Sequence, residues 1–270
     1  MSKRFCITGT CIPEKNYMVN ISGRIDKIVH DYIENGYYFT INRARQYGKT
    51  TMLYLLERRL QEEYLVLSLS FEAADEYFQS LDSLAEGLVM DIEQCLRSQN
   101  VSNTIIEEWC RPLSNRFPMR SLGMKISTLC RSCSKKIILM IDEVDKSSDN
   151  QVFLSFLGLL REKYLKWQQG KEETFQSVIL AGVYDIKTLK LKIHPQAESK
   201  YNSPWNIAVD FQIDMSFGVE DIISMLEQYE KDHQTGMDIN SIAQLLYDYT
   251  NGYPYLVSRI CQLLDERISG

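Results

Sequence analysis

The chain has 270 residues, of which 44% are hydrophobic, 24% charged and 11% aromatic, and its formal net charge is −6. Those proportions exclude collagen-like, low-complexity and wholly disordered chains, and the length suits one large core or one large plus one small. No apolar run reaches the roughly 18 residues a membrane helix needs, and residues 1–15 hold no continuous apolar stretch of a secretory signal, so neither an integral membrane protein nor an exported one is expected.

The charge is unevenly placed. Residues 217–270 hold nine acids and three bases, so the first 216 residues balance to zero. Such a chain is a poor candidate for gripping nucleic acid by charge alone. Seven cysteines, odd in number and irregular in spacing, read as reduced thiols in a cytoplasmic setting rather than as a disulfide framework. Cys130 and Cys133 form a single C-x-x-C, whereas a zinc site wants about two more ligands; the pair reads as partly buried thiols. His30, His194 and His233 are scattered and support neither a histidine nucleophile nor a metal site.

In chain order, residues 37–41 are aromatic and β-branched after the turn Asn35-Gly36, which predicts a strand. Residues 50–64 repeat Met52, Leu55, Leu56 and Leu60 at helical spacing. Residues 65–71 read as a second strand. Helices are expected around 81–96 and 119–133, joined by a connection carrying Trp109, Pro112 and Pro118. The unbroken run 137–141, ended by Asp142-Glu143, suits a strand buried on both faces of a parallel sheet. Residues 151–168 predict an apolar helix, 177–181 another buried strand, and 209–215 alternate like a fifth. Strands alternating with helices argue for an α/β architecture with a parallel sheet. The tail differs. Residues 219–233 put Ile222, Ile223, Leu226 and Tyr229 on one helical face. Asp238 suits the N-cap of a second helix that stops at Asn251-Gly252, and Pro254 suits the first turn of a third.

Two constellations carry chemistry. The first is Asn42-Arg43-Ala44-Arg45-Gln46-Tyr47-Gly48-Lys49-Thr50-Thr51, between a strand and a helix, where a phosphate loop belongs. Gly48 lets the backbone approach phosphate oxygens, and the helix start offers free N–H groups and a positive dipole. Lys49 is long enough for the β- and γ-phosphates, and the Thr50 hydroxyl can ligate Mg²⁺. The usual first glycine of such a loop is replaced by Arg43. The alternative is a plain helix start with an exposed lysine. The second constellation is the strand ending in Asp142-Glu143, a Walker B pattern. Asp142 would hold Mg²⁺ and Glu143 would polarise the attacking water. An acidic pair closing a buried strand is costly without a cation or a function; the alternative is a solvated strand end, with Asp145 and Asp149 as further surface acids.

Together these residues resemble the AAA-like ATPase domains of the STAND and Orc/Cdc6 branch of P-loop ATPases. Those domains often read R-P-R-x-x-G-K-[ST]; here Arg43-Ala44-Arg45-Gln46-Tyr47-Gly48-Lys49-Thr50 departs from it in Ala44. Asn16-Tyr17-Met18-Val19 and Gly23-Arg24 resemble the segment lining the adenine side. Ser203-Pro204-Trp205-Asn206 resembles the S-P-[FW]-N before the last strand, and Asn251-Gly252-Tyr253-Pro254-Tyr255-Leu256-Val257 resembles the G-G-x-P-Y-L-V lid signature.

The resemblance implies a P-loop NTPase three-layer α/β sandwich with strand order 5-1-4-3-2 and an all-helical lid. On that reading, 1–216 is the nucleotide-binding domain and 217–270 the lid. It implies a Mg²⁺-dependent ATPase, with Gln46 to Thr51, Arg24 and Pro254 contacting ATP, Thr50 and Asp142 holding the metal, and Glu143 and Lys49 catalytic. Arg259 sits where some relatives place a second sensor; it is either that or a surface arginine. Tyr184 and Asp185 are the candidates for the first sensor, and Arg161 for an arginine finger. Relatives are often fused to a PD-(D/E)XK nuclease domain, so an attached or separate effector is expected, either moved by hydrolysis or held by ATP without it. The lysines of 187–200, with Tyr201 and Trp205, are the one candidate for touching nucleic acid.

Overall fold

The computed structural model describes residues 3–114, 116–147, 150–184 and 203–268. In order, the elements are β1 (Arg4–Phe5), β2 (Asn16–Tyr17), α1 (Ser22–Ile28), a π-helical turn (Val29–Ile33), β3 (Phe39–Asn42), α2 (Lys49–Leu60) and β4 (Leu65–Ser70). After a 3-10 turn come α3 (Leu81–Ser98), α4 (Asn103–Trp109), α5 (Pro118–Ser132) and β5 (Ile137–Asp142). A second 3-10 turn is followed by α6 (Gln151–Gln168), β6 (Ser177–Gly182), α7 (Val219–His233), α8 (Ile239–Thr250) and α9 (Pro254–Ile268). No helix among the described residues is long and apolar enough to cross a membrane. The chain divides into two compact units. One takes the residues up to Ile28, Arg43–Leu56 and the residues from Gln212 onward; the other takes Val29–Asn42 and Glu57–Phe211.

The second unit holds a four-stranded, all-parallel sheet ordered β3-β6-β5-β4. Every residue of β5 and β6 is buried, which is why their sequences run apolar without alternation. Their register sets Ile141 beside Leu180, and the β4–β5 pair ends on Ser70 beside Asp142. Helices α3, α5 and α6 give this sheet its core, with Leu84, Leu88, Leu122, Ile126, Phe153 and Leu157 all buried. Ser80 caps α3 by accepting from Ser83 N at 3.0 Å, and Asn150 caps α6 by accepting from Val152 N at 2.7 Å. The connection with Trp109 and the prolines contains α4, which its short apolar pattern does not announce.

Residues 209–215 are not the strand their alternation predicts. Phe211, Ile213 and Met215 are buried and the residues between them exposed, yet the segment forms no strand element; it meets the sheet through a parallel bridge from Val209 to Phe39. Strand β3 has only four residues, and past it the Ile213 carbonyl takes the Arg43 guanidinium at 3.0 Å instead of a strand partner. Period two records which side chains are buried, not whether a backbone is paired. Trp205 is likewise no nucleic-acid contact. It is wholly buried, and its indole N–H donates to Thr40 Oγ1 at 2.8 Å.

The first unit pairs β1 with β2 in parallel and adds the helices α7, α8 and α9. Phe5, Tyr17 and Tyr229 meet with ring centroids 5.1–5.3 Å apart, and Tyr229 stacks on His233 at 4.1 Å. The stop between α8 and α9 is as its sequence predicts: Asn251 and Gly252 both take positive φ, 48° and 69°. At Gly252 a Cβ would lie 2.0 Å from the Phe217 carbonyl oxygen, so glycine is required.

Candidate functional site

The loop from Arg43 to Gly48 leaves β3 and enters α2 through two left-handed residues, Gln46 (φ 60°) and Gly48 (φ 78°). Glycine takes that conformation freely; glutamine does so at a cost of order 1–3 kcal/mol, and strain of this kind concentrates at ligand-binding loops. Helix α2 starts at Lys49, so the first-turn N–H groups lack carbonyl partners within the helix and face the loop side. Lys49 is 7% exposed, and its ammonium donates to the Arg43 and Ala44 carbonyls at 3.0 and 3.1 Å. Burial of that charge is thus balanced by the loop itself. Thr50 is exposed, while the Thr51 hydroxyl accepts from Cys11 N at 3.0 Å.

A cavity of about 360 Å³ opens beside this loop, wholly within the first unit. Gln46, Tyr47, Gly48 and Thr51 form one wall; Met18, Val19, Ile21, Met52 and Met215 supply an apolar one. Its size and mixed lining are those of a small-molecule site. Arg24 lines it too. Its Nη2 donates to Ser216 O at 2.9 Å and to Asp221 Oδ2 at 2.5 Å, whereas Nη1 is buried with no hydrogen-bond partner among the described residues. A buried guanidinium donor left open in a cavity wall is a position for an acceptor from a ligand. From α9 the wall takes Pro254, Tyr255 and Ser258. Arg259 is outside that lining, and its Nη1 donates to Gln262 Oε1 at 2.5 Å on its own helix. Two lining groups escaped the sequence reading: Cys6 and Cys11, which looked like unremarkable thiols, and the loop they enclose. Tyr253 escaped it as well. Its hydroxyl donates to the Arg45 carbonyl at 2.6 Å, and its ring meets Tyr47 edge-on at 4.9 Å.

The acidic strand end belongs to the second unit. Asp142 closes β5 only 8% exposed, and its Oδ1 accepts from Glu143 N at 2.9 Å. Glu143 is half-buried with φ 56°, like Gln46 a non-glycine residue in the left-handed region. Asp145, which reads as surface acid, is instead a structural clamp. Its Oδ1 accepts from Val183 N at 2.9 Å, and Gly182 has no room for a side chain, since a Cβ would lie 2.6 Å from that oxygen. The bond fixes the turn leading to Tyr184, which is half exposed. Arg161 is half-buried on α6, with Nε out of solvent and without a hydrogen-bond partner among the described residues. Asp185, the lysines of 187–200 and Tyr201 lie outside the described residues. Burial pushes the Cys130 and Cys133 thiols up, as it does for inert cysteines. Among the described residues no group of three or more His, Cys, Asp or Glu could hold a metal ion by itself.

Comparison with known proteins follows this geometry. A search of curated proteins finds no match. Among solved structures, the Walker-type ATPase of Pyrococcus abyssi aligns at 15% identity over 98% of this chain and 72% of its own, with a TM-score of 0.58, which shows a shared fold. The Aeropyrum pernix Orc2 protein in its ADPNP and ADP complexes aligns at 12% identity over 84% of this chain and 54% of its own (TM-score 0.48). The Orc1 protein of the same organism, in complex with DNA, aligns at 12% over 93% and 61% (TM-score 0.49). The model of the AAA-like domain matches residues 14–268, all but the two ends of the chain, and the protein belongs to that family.

Proposed function

We propose that the chain binds ATP with Mg²⁺ and hydrolyses it slowly, as the motor or switch for an attached or separate effector. The observation that carries the nucleotide reading is the loop from Arg43 to Gly48: two left-handed residues running straight into a helix N-terminus, on the wall of a cavity with an apolar side. The apolar wall suits a purine base, and the loop N–H groups suit its phosphates. Gln46 to Thr51 would cradle the phosphates, Arg24 would offer its open Nη1, and Pro254 would pack against the nucleotide.

The donors for Mg²⁺ fit its chemistry. Thr50 Oγ and the Asp142 carboxylate are hard oxygen ligands, and Mg²⁺ is usually held by one or two protein oxygens plus substrate phosphates, without a cage of its own. When bound, the ion would neutralise charge on the phosphoryl oxygens. Lys49 would exchange its two carbonyl partners for phosphate oxygens. Glu143 would orient the attacking water and take its proton. Arg259 would have to leave Gln262 to act as a second sensor, an arrangement that favours a slow switch over a fast motor. The lid, 217–270, would answer to the nucleotide-binding part, 1–216, through the bond from Tyr253 to the phosphate loop. An effector of PD-(D/E)XK nuclease type fits such a switch. Seven free cysteines fit a reducing, cytoplasmic setting.

Calorimetric titration with ATP and steady-state turnover test this reading on two variants. Lys49→Ala should weaken binding by at least about tenfold, the worth of a charge-assisted bond. Glu143→Gln should keep binding and lower turnover about a hundredfold or more, the usual share of a general base. Equal loss of binding in both would overturn the assigned roles.

A further inference from the structure

Arg24 is clamped through one nitrogen of its guanidinium and open at another. Nη2 carries two bonds, to the Ser216 carbonyl at 2.9 Å and to Asp221 Oδ2 at 2.5 Å. Ser216 is itself held, since its N–H donates to Asp214 Oδ1 at 2.9 Å. The Asp221 oxygen that takes Arg24 also accepts from the N–H of Gly218, the N-cap of α7, at 2.8 Å. One carboxylate oxygen thus serves a helix cap and the arginine together. The two side chains are 22% and 18% exposed, so this is no loose surface pair. A guanidinium is a rigid planar fork, and fixing Nη2 at two points fixes where Nη1 lies. Nη1 lies buried on a residue that lines the nucleotide cavity, without a hydrogen-bond partner among the described residues. All of these residues belong to the first unit.

We propose that Asp221 is a positioning residue for the nucleotide. It holds Arg24 so that Nη1 donates to the bound nucleotide, and the same carboxylate passes occupancy of the cavity to the first turn of α7. The role of Nη1 rests on the ATP reading above; the clamp on Nη2 does not. Asp221 is outside the cavity lining, so it acts through Arg24.

With the cavity empty, the guanidinium is held from the Nη2 side. Nucleotide on Nη1 holds it from both sides, so Asp221 and the Gly218 N–H on its carboxylate are ordered in the same step. The coupling is reciprocal: the factor by which nucleotide favours the ordered cap is the factor by which an ordered cap favours nucleotide. Two substitutions separate these duties. Asparagine at 221 keeps a carbonyl oxygen for Gly218, as a neutral capping-box side chain does. It meets the guanidinium without charge, and charge-assisted bonds are roughly twice as strong as neutral ones. Lysine at 24 keeps a cation for Asp221, but a single ammonium lacks the fork that reaches the carboxylate and the nucleotide at once.

A double-mutant cycle on the full chain, with ATP affinity read by calorimetry, tests this. Arg24→Ala should weaken ATP about tenfold or more, the worth of a charge-assisted bond. Asp221→Asn should weaken it about threefold or more in the parent and add nothing in Arg24→Ala, the non-additivity of residues in one network. Arg24→Lys should bind about as weakly as Arg24→Ala, and it closes the same cycle should the alanine variant fail to fold. Bound ATP should slow exchange of the Gly218 amide in the parent and not in the Arg24 variants. An equal loss from Asp221→Asn in both backgrounds makes Asp221 a helix cap alone and overturns the proposal. So does parental affinity in Asp221→Asn, or protection of Gly218 by ATP that survives without Arg24. Those outcomes leave ATP binding by the parent intact; a parent chain that binds no ATP overturns the ATP reading, and the role of Asp221 with it.

Discussion

Tyr253 donates its hydroxyl to the backbone carbonyl of Arg45 at 2.6 Å, tying the lid signature to the phosphate loop across 208 residues of sequence. The ring of the same tyrosine packs edge-on against Tyr47. Tyr253→Phe keeps that packing and removes the bond alone. A neutral hydrogen bond is worth about 0.5–1.5 kcal/mol net, so ATP affinity should fall roughly two- to tenfold. Amide exchange across 43–48 should quicken in the same variant. Unchanged exchange there would show that the loop holds its shape without the lid.

The lid itself hangs on Gly252. With φ 69° and the Phe217 carbonyl oxygen 2.0 Å from where a Cβ would stand, Gly252→Ala combines a left-handed alanine with a backbone clash. The left-handed conformation alone costs about 1–2 kcal/mol. The Phe217 N–H donates to the Gly252 carbonyl at 2.8 Å, so relieving the clash also breaks that bond. Loss of at least about 2 kcal/mol is expected, seen as a lower denaturation midpoint and faster exchange in 217–268. A variant as stable as the parent would mean that the turn can re-form in another conformation.

Stability of the second unit should carry a pH signature from a buried lysine. Lys163, 4% exposed, donates to Ser127 Oγ at 2.5 Å and to Glu172 Oε1 at 2.6 Å, and Ser127 also donates to Glu172. Burial works against the Glu172 carboxylate, but the bonds from Lys163 and Ser127 outweigh it and hold Glu172 below the ordinary glutamate value. A carboxyl lowered on folding stabilises the protein above its unfolded pKa of about 4.3 and loses that contribution as the pH falls through the folded one. Lys163→Ala should cost about 3 kcal/mol at neutral pH, since it strands a partly buried charge. Denaturant titrations should show the gap to the parent shrinking below about pH 4. A gap that is flat with pH would assign the loss to packing of the lysine stem instead.

Much of this was legible locally. The run IILMI and its acidic end locate β5, the apolar pattern of 151–168 matches α6 residue for residue, and Asn251-Gly252 marks the end of α8 because both residues must take positive φ. The phosphate loop was legible because a strand, a glycine-lysine pair and a helix follow one another directly. What stayed hidden is pairing through space. No local pattern says that Lys49 folds back on the Arg43 carbonyl, that Tyr253 reaches Arg45, or that Cys6 and Cys11 face the cavity. The failed fifth strand has the same origin. Alternation in 209–215 reports burial, and the partner backbone that would make it a strand lies elsewhere in the chain.

Asp145 offers a test of whether the turn after β6 matters to catalysis separately from binding. Its Oδ1 holds the Val183 N–H at 2.9 Å, and Gly182 is small because that carboxylate occupies the space a Cβ would need. Asp145→Ala leaves a half-buried N–H without a partner, a penalty of about 1–3 kcal/mol felt first in the turn from Gly182 to Tyr184. Asp145→Asn keeps a carbonyl oxygen able to accept the same bond. Exchange of the Val183 amide should therefore accelerate in the alanine variant and stay slow in the asparagine one. Turnover should follow the same order, falling with alanine and recovering with asparagine, while ATP affinity changes little in either, because the cavity and phosphate loop are built from the first unit. An alanine variant with Val183 still protected would remove Asp145 from that role. Turnover lost equally in both variants would mean that the negative charge of Asp145, not its hold on the turn, is what the reaction uses.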